Sequence, residues 1–245
     1  MIINDSLAPE QYQLTEESLP VNSVTPLKFL TETVRKMNPD AWPAGYPVSV
    51  EELAFIKLQH WGFDNREHTG ALIVHADLAE EVLETFLDLY RQKFPIEKIR
   101  PIHEFGNDDN ASMAANNTSA FNCREVTGRP GIFSQHAYGR AIDINPLQNP
   151  YVKKIPDGKE LLVLPPAGRE FIDRSDVRKG MITPQTLPFM LFTAKKQRPN
   201  SWNSRWIYGG NWHDLQDYQH FEIRQKGEER DPDGYTPAVF TRHRG

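Results

Sequence analysis

The chain has 245 residues, 38% of them hydrophobic, with 28 basic side chains against 33 acidic ones and a formal net charge of −5. That is enough apolar material for one large domain or two small ones, and the charge balance offers no electrostatic footprint for nucleic acid or an anionic membrane surface. Cys123 is the only cysteine, which excludes an intramolecular disulfide and an all-thiolate metal cluster, so any metal must be held by histidines and carboxylates.

Residues 1–20 are polar and weakly periodic and read as a flexible arm. No apolar run approaches the roughly 18 residues of a membrane span, and the first residues lack the basic start and apolar centre of a signal peptide. Val21 to Lys36 reads as a lead-in with a short helix, closed by the proline-rich "MNPDAWPAGYP". "SVEELAFIKLQHWGF" predicts a helix, with Ser49 as N-cap, Glu52 at the capping-box position, and Leu53, Ile56 and His60 on one face. Ala71 to Val74 is a short apolar strand, and Asp77 is placed to cap a helix carrying Val82, Leu83, Phe86, Leu89 and Tyr90 until Pro95 stops it. "IEKIRPIHEF" alternates as a second strand. From Gly106 to Arg129 the composition is that of a loop, long enough to be functional. A second irregular insertion follows "NPLQNPYV"; Thr183 to Phe192 then reads as a short helix, "WIYGGNW" as a turn and "HFEIR" as a strand. The expected class is α+β, a small antiparallel-rich sheet with helices packed on one face.

Two stretches carry chemistry. In "SQHAYGRAIDIN", His136 and Asp143 are seven positions apart and meet only if the chain turns back, which Tyr138 and Gly139 allow. Ile142 and Ile144 point to the opposite strand face from Asp143, burying the isoleucines and aiming the carboxylate at a cleft. In "DLQDYQHFEIR", His220, Glu222 and Arg224 share one strand face and Phe221 and Ile223 the other. Asp217 precedes His220 by three residues, an offset that puts both on one side of a helical turn. Two imidazoles and one carboxylate make a three-ligand site of the kind that binds zinc and leaves a fourth position for water. Asp217 is then the carboxylate that takes a proton from that water and passes it to a leaving amine, and Arg124 the cationic donor for the carbonyl oxygen, with a structural ion pair as its alternative. His60, His68, His75, His103 and His243 receive no role, and His213 reads as exposed ahead of a substrate contact or a group just outside the ligand sphere.

These stretches resemble the paired S-x-H-x-x-G-x-A-x-D and [DE]-x-x-H motifs of the VanY-like zinc D-alanyl-D-alanine carboxypeptidases, a family that includes L-alanyl-D-glutamate endopeptidases. Ser134, His136, Gly139, Ala141 and Asp143 match every fixed position of the first. The resemblance implies zinc ligands at His136, Asp143 and His220, a catalytic carboxylate at Asp217, a carbonyl-polarising arginine at Arg124, and substrate contact by Ser134. It also implies the fold shared with the hedgehog signalling domain. Tyr138 and Arg140 are further expected substrate contacts; a terminal carboxylate of the substrate needs a cation, for which Arg140, Lys195, Lys196 and Arg205 are all available. The expected layout is an N-terminal helical extension over 21–68, a zinc peptidase domain over 69–226 and a tail over 227–245.

The function so implied is removal of a terminal D-amino acid from peptidoglycan stem peptides, with one Zn2+, no nucleic-acid partner and no membrane span, in a monomer acting in the periplasm or cell wall. Alternatives are an L-alanyl-D-glutamate endopeptidase, a peptidase for another D-residue-containing peptide, and a zinc-bearing binding module without turnover. Retention of Asp217 favours an enzyme. "TAKKQRPNSWNSRWIYGG" is longer and more basic than in compact relatives, which bears on subsite preference rather than on metal chemistry.

Overall fold

A computed structural model of the chain describes residues 14–38, 45–126, 129–155, 160–194, 196, 203, 205–213 and 215–228. In chain order, β1 (Ser23–Pro26) leads to α1 (Thr31–Met37), and then β2 (Leu53–Trp61) and β3 (Glu67–His75) form a long antiparallel hairpin, giving a sheet of order β1-β2-β3. The predicted helix over residues 49–63 is therefore a strand. Its capping box is real, with Ser49 N–H donating to Glu52 at 2.8 Å, but it starts only a single 3-10 turn over Val50–Glu52. The difference has a physical cause. β2 is central and covered on both faces, so Leu53 to Ile56 form an unbroken apolar run, and period alone does not separate such a strand from a helix.

The two faces of that sheet belong to different layers. Ala54, Ile56, Leu58, Leu72 and Val74 pack under α2 (Ala79–Arg91), against Val82, Phe86 and Leu89. Leu53, Phe55, Ala71 and Ile73 pack on the other side against Leu27, Leu30 and Met37, the last of these in α1. Helices thus lie on both faces rather than on one. The expected boundary at 68/69 falls inside the β2–β3 hairpin. The arm expected over 1–20 is docked where it is described, with Lys57 Nζ donating to the carbonyls of Glu16 and Leu19 at 2.9 Å each and Leu19 buried; residues 1–13 lie outside the described part.

α2 starts at Ala79 after a 3-10 turn, so Asp77 is not its cap; instead the Asp77 N–H donates to His75 Nδ1. Of the second predicted strand only β4 (Lys98–Ile99) forms, and Pro101 opens a 3-10 turn over Ile102–Phe105. The expected loop holds α3 (Asp109–Ala114), capped by the Asp108 carboxylate accepting from the Asn110 and Ala111 N–H groups. After it come β5 (Asn117–Thr118), parallel to β4, and β6 (Glu125–Val126), which pairs with β7 (Arg129–Phe133). The segment just after β5 is the seam of the molecule. Ser119 exchanges backbone hydrogen bonds with Asp143 at 2.8 and 3.0 Å, and Phe121 N–H donates to the Ile73 carbonyl, joining the β1–β3 sheet to the motif strands.

Those strands are β8 (Ala141–Asp143), β9 (Tyr151–Lys154), β10 (Leu161–Leu164), β11 (Ile207–Tyr208), β12 (Leu215–Asp217) and β13 (His220–Glu222), with α4 (Leu187–Thr193) between β10 and β11. They make two three-stranded antiparallel sheets, β10-β9-β12 and β11-β13-β8. Asp217 ends one sheet and His220 begins the other, so the turn between them is strand to strand and not helical. The α+β class holds, as several small sheets that are mainly antiparallel. Phe221 and Ile223 bury the back of β13 beside Ile142, Ile144, Phe192 and Trp206, in the same core that α2 covers. The site side of β8 and β13 therefore stands on the main core.

Candidate metal centre

His136 lies in a 3-10 turn over Gln135–Tyr138, begun by Ser134, whose Oγ accepts from the His136 N–H at 3.3 Å. Gly139 ends the turn with φ +65, and a Cβ there would come within 2.5 Å of the His75 backbone nitrogen, so glycine is required on two counts. The reversal carries the chain directly into β8 and Asp143. β8 pairs with β13 in a register that sets Asp143 opposite His220.

The three side chains converge. Asp143 Oδ2 is 3.2 Å from His136 Nε2, Asp143 Oδ1 is 3.0 Å from His220 Nδ1, and the two ring nitrogens are 3.2 Å apart. All three residues are buried, and their candidate ligand atoms lie within 4.8 Å of one another. The outer ring nitrogens have acceptors of their own: His136 Nδ1 lies 2.6 Å from the Ala120 carbonyl oxygen and His220 Nε2 lies 3.1 Å from Glu222 Oε2. A carbonyl and a carboxylate only accept, so the outer nitrogens carry the protons and the inner ones present lone pairs. Two imidazole lone pairs and a carboxylate facing each other at such distances repel unless a cation sits among them. The cluster therefore fits a metal ion.

The electrostatics agree. Without an ion a proton takes that central place: burial opposes charge on His220, yet its bonds to Asp143 and Glu222 outweigh burial and push its pKa up to about 10. Burial likewise acts to raise the Asp143 carboxyl, but the His136 charge and hydrogen bonds from both rings hold it well below the usual carboxylate range. The pocket is built to hold positive charge.

Asp217 behaves in the opposite way. Burial, with the Asp143 carboxylate as the second cause, pushes its pKa well above the ordinary value, while His220, His136 and Arg124 pull it down. Its Oδ1 is buried and accepts no hydrogen bond. A carboxylate beside the cluster, raised toward neutrality and left with a free acceptor, is suited to exchanging a proton.

Residues 127–223 match the model of a VanY-like D-alanyl-D-alanine carboxypeptidase family. That is the family the two motifs resemble, and the matched stretch contains His136, Asp143, Asp217 and His220. No curated protein and no solved structure matches the chain.

The remaining expected residues divide. Arg124 lies before the matched stretch; its Nε is 3.1 Å from Asp109 Oδ2, so it makes the ion pair weighed as its alternative while its charge still reaches Asp217. Asp109 also accepts from Asn122 at 3.1 Å, which ties α3 to the arginine's own loop. Ser134 acts as the cap of the histidine turn. Arg140 is buried, stacks on Tyr138 at 4.3 Å and pairs with Glu228 at 2.9 Å, so these two expected substrate contacts bind one another and the start of the C-terminal tail. Lys196 lies 3.7 Å from Glu81, Arg205 is exposed, and Lys195 is outside the described residues. His213 is exposed, as expected. Sequence reasoning gave no role to Glu222 or to the Ala120 carbonyl. Glu222 carried a signal, its place two residues from His220 on one strand face; a backbone carbonyl carries none.

Proposed function

We propose that the protein is a zinc-dependent peptidase acting on the peptide stems of bacterial peptidoglycan, and that it removes a terminal D-amino acid as a D-alanyl-D-alanine carboxypeptidase does. The observation that carries this reading is the convergence of His136, Asp143 and His220 with their lone pairs inward and Asp217 beside them. Two imidazoles and a carboxylate form the donor set of a catalytic zinc site. A zinc ion held there supplies Lewis acidity, bringing the attacking water toward a pKa of about 7 and polarising the scissile carbonyl.

The protein's own groups do the rest. Asp217 accepts the proton of the attacking water as the new C–O bond forms, and returns it to the amine nitrogen as the C–N bond breaks. Arg124 lends its charge to the developing oxyanion, with Asp109 holding the guanidinium in place. Ser134 shapes the turn that presents His136. The substrate lies outside the cytoplasmic membrane, and the proposal places the protein there; among the described residues no helix is long and apolar enough to cross a membrane. The β2–β3 hairpin and the N-terminal layer belong to the support of this site rather than to a separate extension.

The test is mass spectrometry of two defined stem peptides, a pentapeptide ending in D-Ala-D-Ala and the corresponding tetrapeptide, incubated with zinc-loaded protein. Release of one terminal residue supports the carboxypeptidase. An internal cut makes it an endopeptidase with the same machinery, and intact peptides alongside bound zinc overturn the catalytic reading.

A further inference from the structure

Glu222 is 1% exposed, among the most deeply buried charged side chains described. It sits two residues beyond His220 on the same face of β13. Its Oε2 lies 3.1 Å from His220 Nε2, and its Oε1 accepts from Arg224 Nε at 2.8 Å. Arg224 is itself anchored, donating through Nη1 to the Glu228 carbonyl at 3.3 Å. A carboxylate taken this far out of water is stable only when both oxygens have cationic or N–H partners, and here each does.

The arrangement has a consequence for the ring. With Glu222 ionised and unable to donate, the proton of His220 must stay on Nε2, because moving it to Nδ1 would set a lone pair against a buried carboxylate. A ring flip would break the same bond. Nδ1 is thereby left as the inward lone pair, 3.0 Å from Asp143 and 3.2 Å from His136 Nε2. The two imidazoles are not equivalent, since His136 has only the neutral Ala120 carbonyl behind it. A full negative charge behind His220 makes it the more basic of the pair.

We propose that Glu222, held by Arg224, is the positioning residue that fixes the tautomer and orientation of His220 and strengthens its hold on the metal. The inference rests on the metal-site reading above. It is tested on the full-length chain by measuring zinc affinity, in competition with a chromophoric chelator, for the parent, Glu222→Gln and Glu222→Ala. Long-range nitrogen–proton NMR of the zinc-loaded parent reads the protonated nitrogen of His220 directly. The expected results are a proton on His220 Nε2, affinity roughly 10- to 100-fold weaker in Glu222→Ala, and a smaller loss in Glu222→Gln, which keeps an acceptor without the charge. Zinc uptake by the parent with affinity unchanged in both variants overturns the role of Glu222 alone. Should the variants not fold, a His220 proton found on Nδ1 in the parent overturns it equally. A parent that takes up no zinc removes the metal-site reading and this inference with it.

Discussion

Asp143 and His220 stand opposite one another across the β8–β13 ladder, with Oδ1 and Nδ1 3.0 Å apart, although 77 residues separate them in the chain. The register of two short strands thus places half of the candidate metal site, and a slip of one residue would turn His220 into the core and Phe221 into the site. Asp143→Asn tests the charge at that position with the shape kept. It should weaken zinc binding by more than the ~100-fold that loss of an outer hydrogen-bond partner can cost, measured by chelator competition, with the folded state intact by circular dichroism.

Asp217 should separate chemistry from metal binding. Asp217→Asn is expected to retain zinc at parent stoichiometry while peptide hydrolysis falls by roughly 100- to 10,000-fold, the usual contribution of a positioned acid or base. The same change should stabilise the metal-free protein. A carboxyl whose pKa is raised in the fold by burial and by Asp143 opposes folding at neutral pH, where the unfolded chain would ionise it freely. A higher melting temperature together with lost turnover is the expected pair of results.

How much of this was legible in the sequence depends on what each residue faces. β8 and β13 alternate cleanly because one side rests on Phe192 and the main core while the other lines the site, so the directions of Asp143 and His220 are legible in the alternation, and that of His136 in the turn that Gly139 closes. β2 has the sequence look of a helix because both of its faces are buried, one under α2 and one under the N-terminal layer, which erases the period of two over its first half. The offset of three from Asp217 to His220 suggests a helical turn, yet the two residues come together because one sheet ends where the next begins. Arg140 lies inside the first motif, but its direction is set by Tyr138 and Glu228, and the latter is 88 residues away. No local pattern reports such a partner.

Gly139 joins the two halves of the first motif, and Gly139→Ala should be costly in both stability and metal binding. Its φ of +65 disfavours any Cβ, and that Cβ would press on the His75 nitrogen, whose N–H donates to the Gly139 carbonyl at 2.8 Å. A destabilisation above about 1 kcal/mol is expected from the backbone conformation alone, read from the urea midpoint. Because the turn aims His136 at Asp143, zinc affinity should fall too, and the loss should exceed that of an alanine placed at exposed Glu125.

His60 supplies a pH dependence that does not involve the site. It is buried on β2, bonded through Nδ1 to the Ile96 carbonyl at 3.1 Å and stacked on His68. Burial, followed by the nearby His68 charge, lowers its pKa from 6.5 to about 4. As the pH falls below 6.5 the unfolded chain takes up this proton and the native state does not, so stability present at pH 7 is lost progressively until about pH 4, where the folded ring also titrates. The His60 share of that loss is on the order of 2 kcal/mol. Urea denaturation at several pH values, compared between the parent and His60→Gln, isolates it: the parent should lose more stability than the variant between pH 6.5 and 4, and the two curves should run parallel above pH 7.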